Sequence, residues 1–177
     1  MKIKSTIIRD VKLIYPNYIK DHRGYFVEKF NQKKLKQIFK KNYVQENESL
    51  SIKKNTFRGL HYQKGKYAQD KILSVIKGEI IDYIFDLRSE SKSYKKLLKI
   101  KINDKSKFLI FIPKGCAHGF LTKRQGTIVN YKVSTFFNKK HDCGINYKEI
   151  ISNKNEKFII SNKDKALKLF DKDRKYF

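Results

Sequence analysis

Arg58-Gly59-Leu60-His61-Tyr62-Gln63 places an arginine, a histidine and a tyrosine within one short stretch. Residues 56–62 read as a β-strand, and side chains alternate faces along a strand. His61 therefore shares a face with its odd-numbered neighbours. An inward histidine near an arginine describes a pocket that binds an anion and moves a proton. A second cluster, Pro113-Lys114-Gly115-Cys116-Ala117-His118-Gly119-Phe120, lies about one β-rich half-domain further on, where a tight turn presents His118.

Outward from these clusters, short runs of Ile, Val, Phe and Tyr alternate with polar or Gly breaks. Candidate strands cover residues 12–15, 25–30, 43–51, 56–62, 72–77, 79–86, 96–102, 108–112 and 127–133. Many short strands at regular spacing, with turn signals such as Lys77-Gly78 and Asn103-Asp104, predict a β-sandwich or barrel. Within 79–86 the alternation is only partial, which fits a strand covered on both sides. Residues 31–41 read as a helix: Leu35, Ile38 and Phe39 recur at helical spacing and Asn31 can cap the N-terminus. A second helix is expected near Ser161, leading into Ala166, Leu167 and Phe170. With no repeat, no Pro-rich linker and a length of 177 residues, residues 1–177 are expected to form one domain.

Bulk properties exclude several classes. No run of about 18 apolar residues is present to span a membrane. The start, Met1 to Thr6, lacks the pattern of a signal peptide. Cys116 and Cys143 are too few for a disulfide framework, so a reducing cytoplasm is the expected location. Neither belongs to a CxxC pair, and Cys116 reads as a small filler in its turn. The net charge is +25, yet only six of the 42 basic residues are arginine (9, 23, 58, 88, 124 and 174), leaving 36 lysines spread along the chain. Nucleic-acid readers lean on arginine forks, so the charge reads as solvated lysine faces, with no specific nucleic-acid partner expected.

Pro113-x-Gly115-x-x-His118 resembles the second cupin motif. Metal-binding cupins add a second histidine and a glutamate to the first motif, whereas His61 is followed by Tyr62 and Gln63. Two histidines with no nearby inward carboxylate suit zinc, iron or manganese poorly. The expectation is a cupin-type double-stranded β-helix, a mainly β jelly-roll barrel with a few short helices, working without metal or other cofactor.

Further motifs make the resemblance specific. Arg58 to Gln63 is followed by Ala68-Gln69-x-Lys71, Gly78-Glu79, Asp86-Leu87-Arg88, the Pro113 to Leu121 run and Tyr131-Lys132-Val133. Upstream lie Asp21-x-Arg23-Gly24-x-Phe26-x-Glu28 and Gln45-x-Asn47-x-Ser49. Together, from about residue 7 to 165, they closely resemble the dTDP-4-dehydrorhamnose 3,5-epimerase family. The resemblance implies an epimerase acting at C3, C5 or both of a nucleotide-linked 4-keto-6-deoxy sugar, serving deoxysugar and surface polysaccharide synthesis. Related ketoisomerases and a non-catalytic sugar-nucleotide-binding cupin stay open as alternatives.

The chemistry is legible in the residue types. Epimerisation beside a ketone needs a base on one face, an acid on the other and a cation for the enolate oxygen. By resemblance His61 is the base, oriented by Asp164; Tyr131 is the proton donor; and Lys71 holds the enolate oxygen. Arg23 and Arg58 grip the diphosphate. Glu28, Gln45 and Asn47 contact the nucleotide sugar, and His118, Asp142 and Lys163 line the site. Phe137 stands where the family commonly has a tyrosine stacked on thymine, and Asp142 where it has glutamate. Relatives pair as homodimers by exchanging N-terminal strands, which would let Arg23, Phe26 or Glu28 complete a neighbour's pocket. His22 and His141 match nothing catalytic.

Overall fold

The computed structural model describes residues 1–151 and 157–177. In chain order its strands are β1 (Lys2–Ser5), β2 (Lys12–Tyr15), β3 (Tyr18–Asp21), β4 (Gly24–Val27), β5 (Gln45–Ser51), β6 (Phe57–Gln63) and β7 (Lys71–Lys77). Then come β8 (Glu79–Asp86), β9 (Leu97–Asn103), β10 (Leu109–Ile112), β11 (Cys116–Thr122), β12 (Thr127–Val133) and β13 (Asp142–Gly144). Two α-helices, α1 (Gln32–Phe39) and α2 (Asn162–Lys165), interrupt them. One sheet has the order β1-β2-β10-β7-β12-β5 and the other β13-β6-β11-β8-β9, while β3 and β4 form a separate hairpin. Neighbouring strands run antiparallel throughout. The mainly β, cupin-type architecture expected from the motifs is what the chain adopts.

The sheets face one another across an apolar interior. Leu73, Val75, Ile110, Ile112 and Val129 enter from the first sheet, and Ile80, Ile84, Ile102, Cys116 and Phe120 from the second. Burial pushes the Cys116 thiol up to about 12, so it stays protonated and serves as filler. The outer faces are covered too. Tyr83 and Phe85 point away from Ile80 and Ile84 into a cluster closed by Ile145, Ile151, Phe158 and Phe170, which accounts for the broken alternation of β8. On the opposite outer face, α1 lays Leu35 over Ile14 and Ile72, and Phe39 stacks on Phe111 with ring centroids 3.9 Å apart. Each such buried side chain contributes about 1.5–3 kcal/mol. An eight-residue helix has no comparable stability of its own.

Differences from the sequence expectations have local causes. Asn31 does cap α1 by accepting from Lys34 N, but the helix ends at Phe39 because Lys40 adopts a left-handed conformation. Strand 25–30 stops at Val27, after which Phe30 turns to meet Tyr43 edge-on. The helix expected beyond Ser161 is a single turn. Leu167 O and Lys168 O instead accept from the side-chain and backbone amides of Asn146. β11, with Ala, His and Gly in its sequence, was not among the expected strands. Ladders to β6 and β8 on both sides override its weak β preference. β1, β3 and β13 are short or solvent-facing and carried little alternation to read.

At the end of β8, where Asp86 pairs with Cys116 of β11, Asp86 is fully buried and takes both forks of Arg88, Nε to Oδ1 and Nη2 to Oδ2, each at 2.8 Å. Ser93 Oγ adds a third bond at 2.7 Å. The same guanidinium reaches Arg9 O and Asp10, pinning the N-terminal segment to the loop after β8. Among the described residues no helix is long and apolar enough to cross a membrane.

Two expected outcomes follow from this packing. A Cβ at Gly59, where φ is +128°, would lie 2.5 Å from Gly119 Cα and 2.9 Å from His118 O. Gly59→Ala should destabilise by about 2–5 kcal/mol, read as a melting temperature lower by roughly 4 °C or more; an unchanged melt would refute the close approach. Burial alone would raise the Asp86 carboxyl, yet Arg88 and Ser93 hold it below the usual carboxylate range. Its contribution is therefore present above an unfolded pKa of about 3.9 and lost as pH falls through the lower folded value. Arg88→Ala strands that charge and should cost about 3–5 kcal/mol at pH 7. Denaturant titrations should show the deficit shrinking toward pH 4, and a deficit that grows on acidification would contradict the assignment.

Candidate active site

Sheet alternation decides which side chains meet. Tyr131 on β12 pairs with Asn47 on β5 and with Leu73 on β7, so Tyr131, Gln45, Asn47 and Lys71 share the inner face of the first sheet. On β6 the register slips against β11: His118 pairs with His61, but Phe120 pairs with Arg58. That slip places three residues of β6 opposite two of β11, as in a β-bulge. Arg58 and His61 consequently both line the interior, although one is even-numbered and the other odd, while Phe57, Leu60 and Tyr62 pack outside. Strict alternation would have turned Arg58 away. The two walls enclose a cavity of about 690 Å³ bordered by His61, Lys71, His118, Tyr131, Asp142 and Asp164, among others.

Each cavity histidine carries a carboxylate. His61 Nε2 is 2.8 Å from Asp164 Oδ1, and Gly59 N donates to Asp164 Oδ2 at 3.1 Å. The Asp164 side chain is 5% exposed and the imidazole 31%, so the carboxylate sits behind a ring that faces the cavity. Asp164 belongs to α2, whose N-cap Ser161 accepts from Asp164 N at 3.1 Å. His118 Nε2 is 2.7 Å from Oδ1 of the fully buried Asp82, whose Oδ2 meets no hydrogen-bond partner among the described residues. Asp164 stands beside His61 as the resemblance implied, whereas the expectation that the two histidines have no nearby inward carboxylate fails at His118, which has Asp82. Asp82 was missed because it lies in the apolar run of β8; its signal is its place between Ile80 and Ile84 on the inner face. Among the described residues no group of three His, Cys, Asp or Glu converges as a metal site would require.

Burial tunes the remaining groups in opposite senses. It pulls the Lys71 ammonium down to about 8, while Asp142 and Asp82 keep it from falling further. It raises the Tyr131 phenol, helped by Asp142 and opposed by Arg58, so the phenol is protonated at neutral pH. Burial would also raise Asp164, but the His61 hydrogen bond and charge, Gly59 N–H and Lys163 outweigh it and keep the carboxyl below the usual range. Lys163 Nζ is 2.6 Å from Asp142 Oδ2, tying α2 to β13. A proton acceptor backed by an anion, a protonated phenol and an easily neutralised ammonium thus share one cavity.

Most of the predicted site residues gather there: His61, Lys71, Tyr131 and Asp164, with Gln45, Asn47, Arg58, His118, Phe137, Asp142 and Lys163. Arg58 is braced by Leu50 O at 2.9 Å and Ser51 Oγ at 3.2 Å. Three others lie elsewhere. Arg23, Phe26 and Glu28 sit on or just after the β3–β4 hairpin, where Arg23 pairs with Asp21, Glu28 pairs with Lys34, and the Phe26 side chain is exposed. Gln63, Gln69 and Ser161 border the cavity without having been singled out as candidates.

Residues 5–172 match the sequence model of the dTDP-4-dehydrorhamnose 3,5-epimerase family. A protein of that name from Escherichia coli (strain K12) is 38% identical over 147 residues, covering 82% of this chain and 79% of its own length. One from Methanothermobacter thermautotrophicus is 41% identical over 138 residues, covering 75% and 71%. The Bacillus anthracis dTDP-4-dehydrorhamnose 3,5-epimerase with TDP and PPi bound superposes at a TM-score of 0.90 and 38% identity, covering 96% of this chain and 99% of that one. The Legionella pneumophila dTDP-6-deoxy-D-glucose-3,5-epimerase in complex with dTDP-4-keto-L-rhamnose superposes at 0.87 and 32% identity, covering 95% and 92%. With the family model spanning nearly the whole chain and relatives above 30% identity over most of it, the chain belongs to the dTDP-4-dehydrorhamnose 3,5-epimerase family.

Proposed function

We propose that this protein inverts C3 and C5 of a dTDP-linked 4-keto-6-deoxy sugar by proton removal and return. The observation that carries the reading is the meeting of the Asp164-backed His61, the Tyr131 phenol and the Lys71 ammonium in one cavity. His61 takes a proton from the carbon beside the C4 ketone, and the electron pair of that C–H bond moves through the new C=C bond onto the carbonyl oxygen. Asp164, held ionised, favours the imidazolium that results. Lys71 offsets the enolate charge without a metal. Tyr131 delivers a proton to the opposite face of the same carbon, which inverts it, and the phenolate and imidazolium then exchange protons with water. C3 and C5 both flank C4, so one enolate-stabilising cation serves either. A module that only held the nucleotide would need neither the acid nor the base.

On this reading Arg58 meets the diphosphate with the guanidinium donors that Leu50 and Ser51 leave over. The β3–β4 hairpin carries Arg23, Phe26 and Glu28 at the surface, and in a homodimer these residues would complete a second copy's cavity. Residues 1–177 act as one domain, in the cytoplasm where nucleotide sugars are made, feeding deoxysugars to surface polysaccharide.

Incubation with dTDP-4-keto-6-deoxyglucose in deuterated water, followed by NMR, should show label entering at both C3 and C5. Label at one carbon would make the protein a single epimerase; none there, nor in other 4-keto sugar nucleotides, would end the enzyme reading. His61→Ala should slow exchange by about 10²–10⁴-fold, whereas Tyr131→Phe should retain some exchange without net inversion.

Lys71 must be protonated to hold the enolate, so kcat/KM should decline as pH rises through about 8. Lys71→Met should lose about 10²–10³-fold in rate. Lys71→Arg keeps its charge at every accessible pH, so whatever activity it retains should lack that alkaline limb. A wild-type profile flat from pH 7 to about 9.5 would remove Lys71 from this role.

A further inference from the structure

Residues 135–138 follow β12 beside the cavity and belong to no strand or helix. Their backbone polar groups are taken in turn by three glutamine side chains. Gln69 Nε2 donates to Thr135 O at 2.6 Å. Gln63 Nε2 donates to Phe136 O at a longer 3.4 Å, and its Oε1 accepts from Asn138 N at 2.6 Å. Between these, Gln45 Oε1 accepts from Phe137 N at 2.9 Å. The glutamines come from the start of β5, the end of β6 and the loop before β7. Upstream the segment is pinned where Ser134 N donates to Asp70 O and Ser134 Oγ meets Asp70 N and Oδ2. Downstream the Asn138 side chain caps the turn over residues 139–141.

Ordering a glutamine costs more rotamer freedom than ordering most side chains, yet three are immobilised on four residues. What they hold are two aromatic rings turned outward: Phe136 is 64% exposed and Phe137 54%, and Phe137 borders the cavity. A fixed, exposed aromatic face at a pocket is a stacking platform for a planar ring. Fixing it before the ligand arrives removes an ordering cost from binding.

We propose that Gln63 and Gln69 are positioning residues which, with Gln45, clamp the backbone of residues 135–138 so that Phe137 stands ready for the base of the bound nucleotide. The inference rests on the dTDP-sugar reading above and adds to it the parts that set nucleotide affinity. Because the clamp acts through Phe137 and away from the reacting sugar carbons, it affects binding and leaves the chemical step alone.

The test compares wild type, Gln63→Leu, Gln69→Leu, Phe137→Ala and the Gln69→Leu/Phe137→Ala pair, with dTDP binding by calorimetry and kcat and KM from the exchange reaction. Each glutamine variant should weaken dTDP binding and raise KM by about fivefold to tenfold, with kcat held within about twofold. Gln69→Leu should cost little once Phe137 is already alanine, since both act on the same contact. A purely structural role gives a different pattern: lower melting temperature and kcat, with the Gln69 effect undiminished in the alanine background. That pattern, unchanged dTDP affinity in Gln69→Leu, or no dTDP binding by wild type would each overturn the clamp. Should Gln63→Leu fail to fold, Gln69→Leu, which removes a single hydrogen bond, decides alone. Wild type that binds dTDP but exchanges no sugar proton defeats the epimerase reading, while the binding comparisons still judge the clamp.

Discussion

The backbone contact between Gly59 and Gly119 is the constraint on which the rest of the site depends. Two glycines let β6 and β11 approach until a single added Cβ would collide with the opposite chain. The register slip they permit turns Arg58 and His61 to the same wall of the cavity. Gly59 also offers its N–H to Asp164, and the other oxygen of that carboxylate holds His61. One buried carboxylate therefore joins the irregularity of the strand to the orientation of the imidazole. Fold and site meet in Arg58, Gly59, His61, Gly119 and Asp164.

Burial then assigns the charges. Drawing an ammonium, a phenol and a carboxylate into one low-dielectric space would neutralise all three if nothing else acted. Lys71 and Tyr131 do shift in that direction. Asp164 does not, because a backbone N–H and an imidazole give its charged form two hydrogen bonds. The result is a set of groups at different points of protonation within one cavity, which proton transfer across a sugar ring requires. The second pair, His118 with Asp82, is buried more deeply, with side-chain exposures of 8% and 0% against 31% and 5% for His61 with Asp164.

Much of this was legible before any coordinates. Ile, Val and Phe runs at regular spacing marked most of the long strands, and Asn31 marked the start of α1. The two motifs around His61 and His118 marked the strands that carry the site's paired histidines. What escaped was of a kind that pattern cannot carry. β11 reads poorly because its stability comes from ladders on both sides. The helix after Ser161 stops after one turn because Asn146 claims its next carbonyls. Asp82 hides in an apolar run, and the glutamines gripping residues 135–138 are ordinary polar residues until their partners are known. Arg23, Phe26 and Glu28 carry family motifs but lie on a surface hairpin, since nothing local in sequence says which cavity a hairpin serves.

By itself the sequence determined the class of fold, the residue types available for proton transfer and the family, because these follow from periodicity and from short motifs with fixed internal spacing. Tertiary structure alone decided which side chains face one another. A one-residue slip between β6 and β11 reverses the side to which a chain position points, and such a slip is set by backbone contact between segments some sixty residues apart. It also decided the state of each group, since protonation is governed by burial and by partners brought together only on folding: Asp164 lies 103 positions from the imidazole it orients.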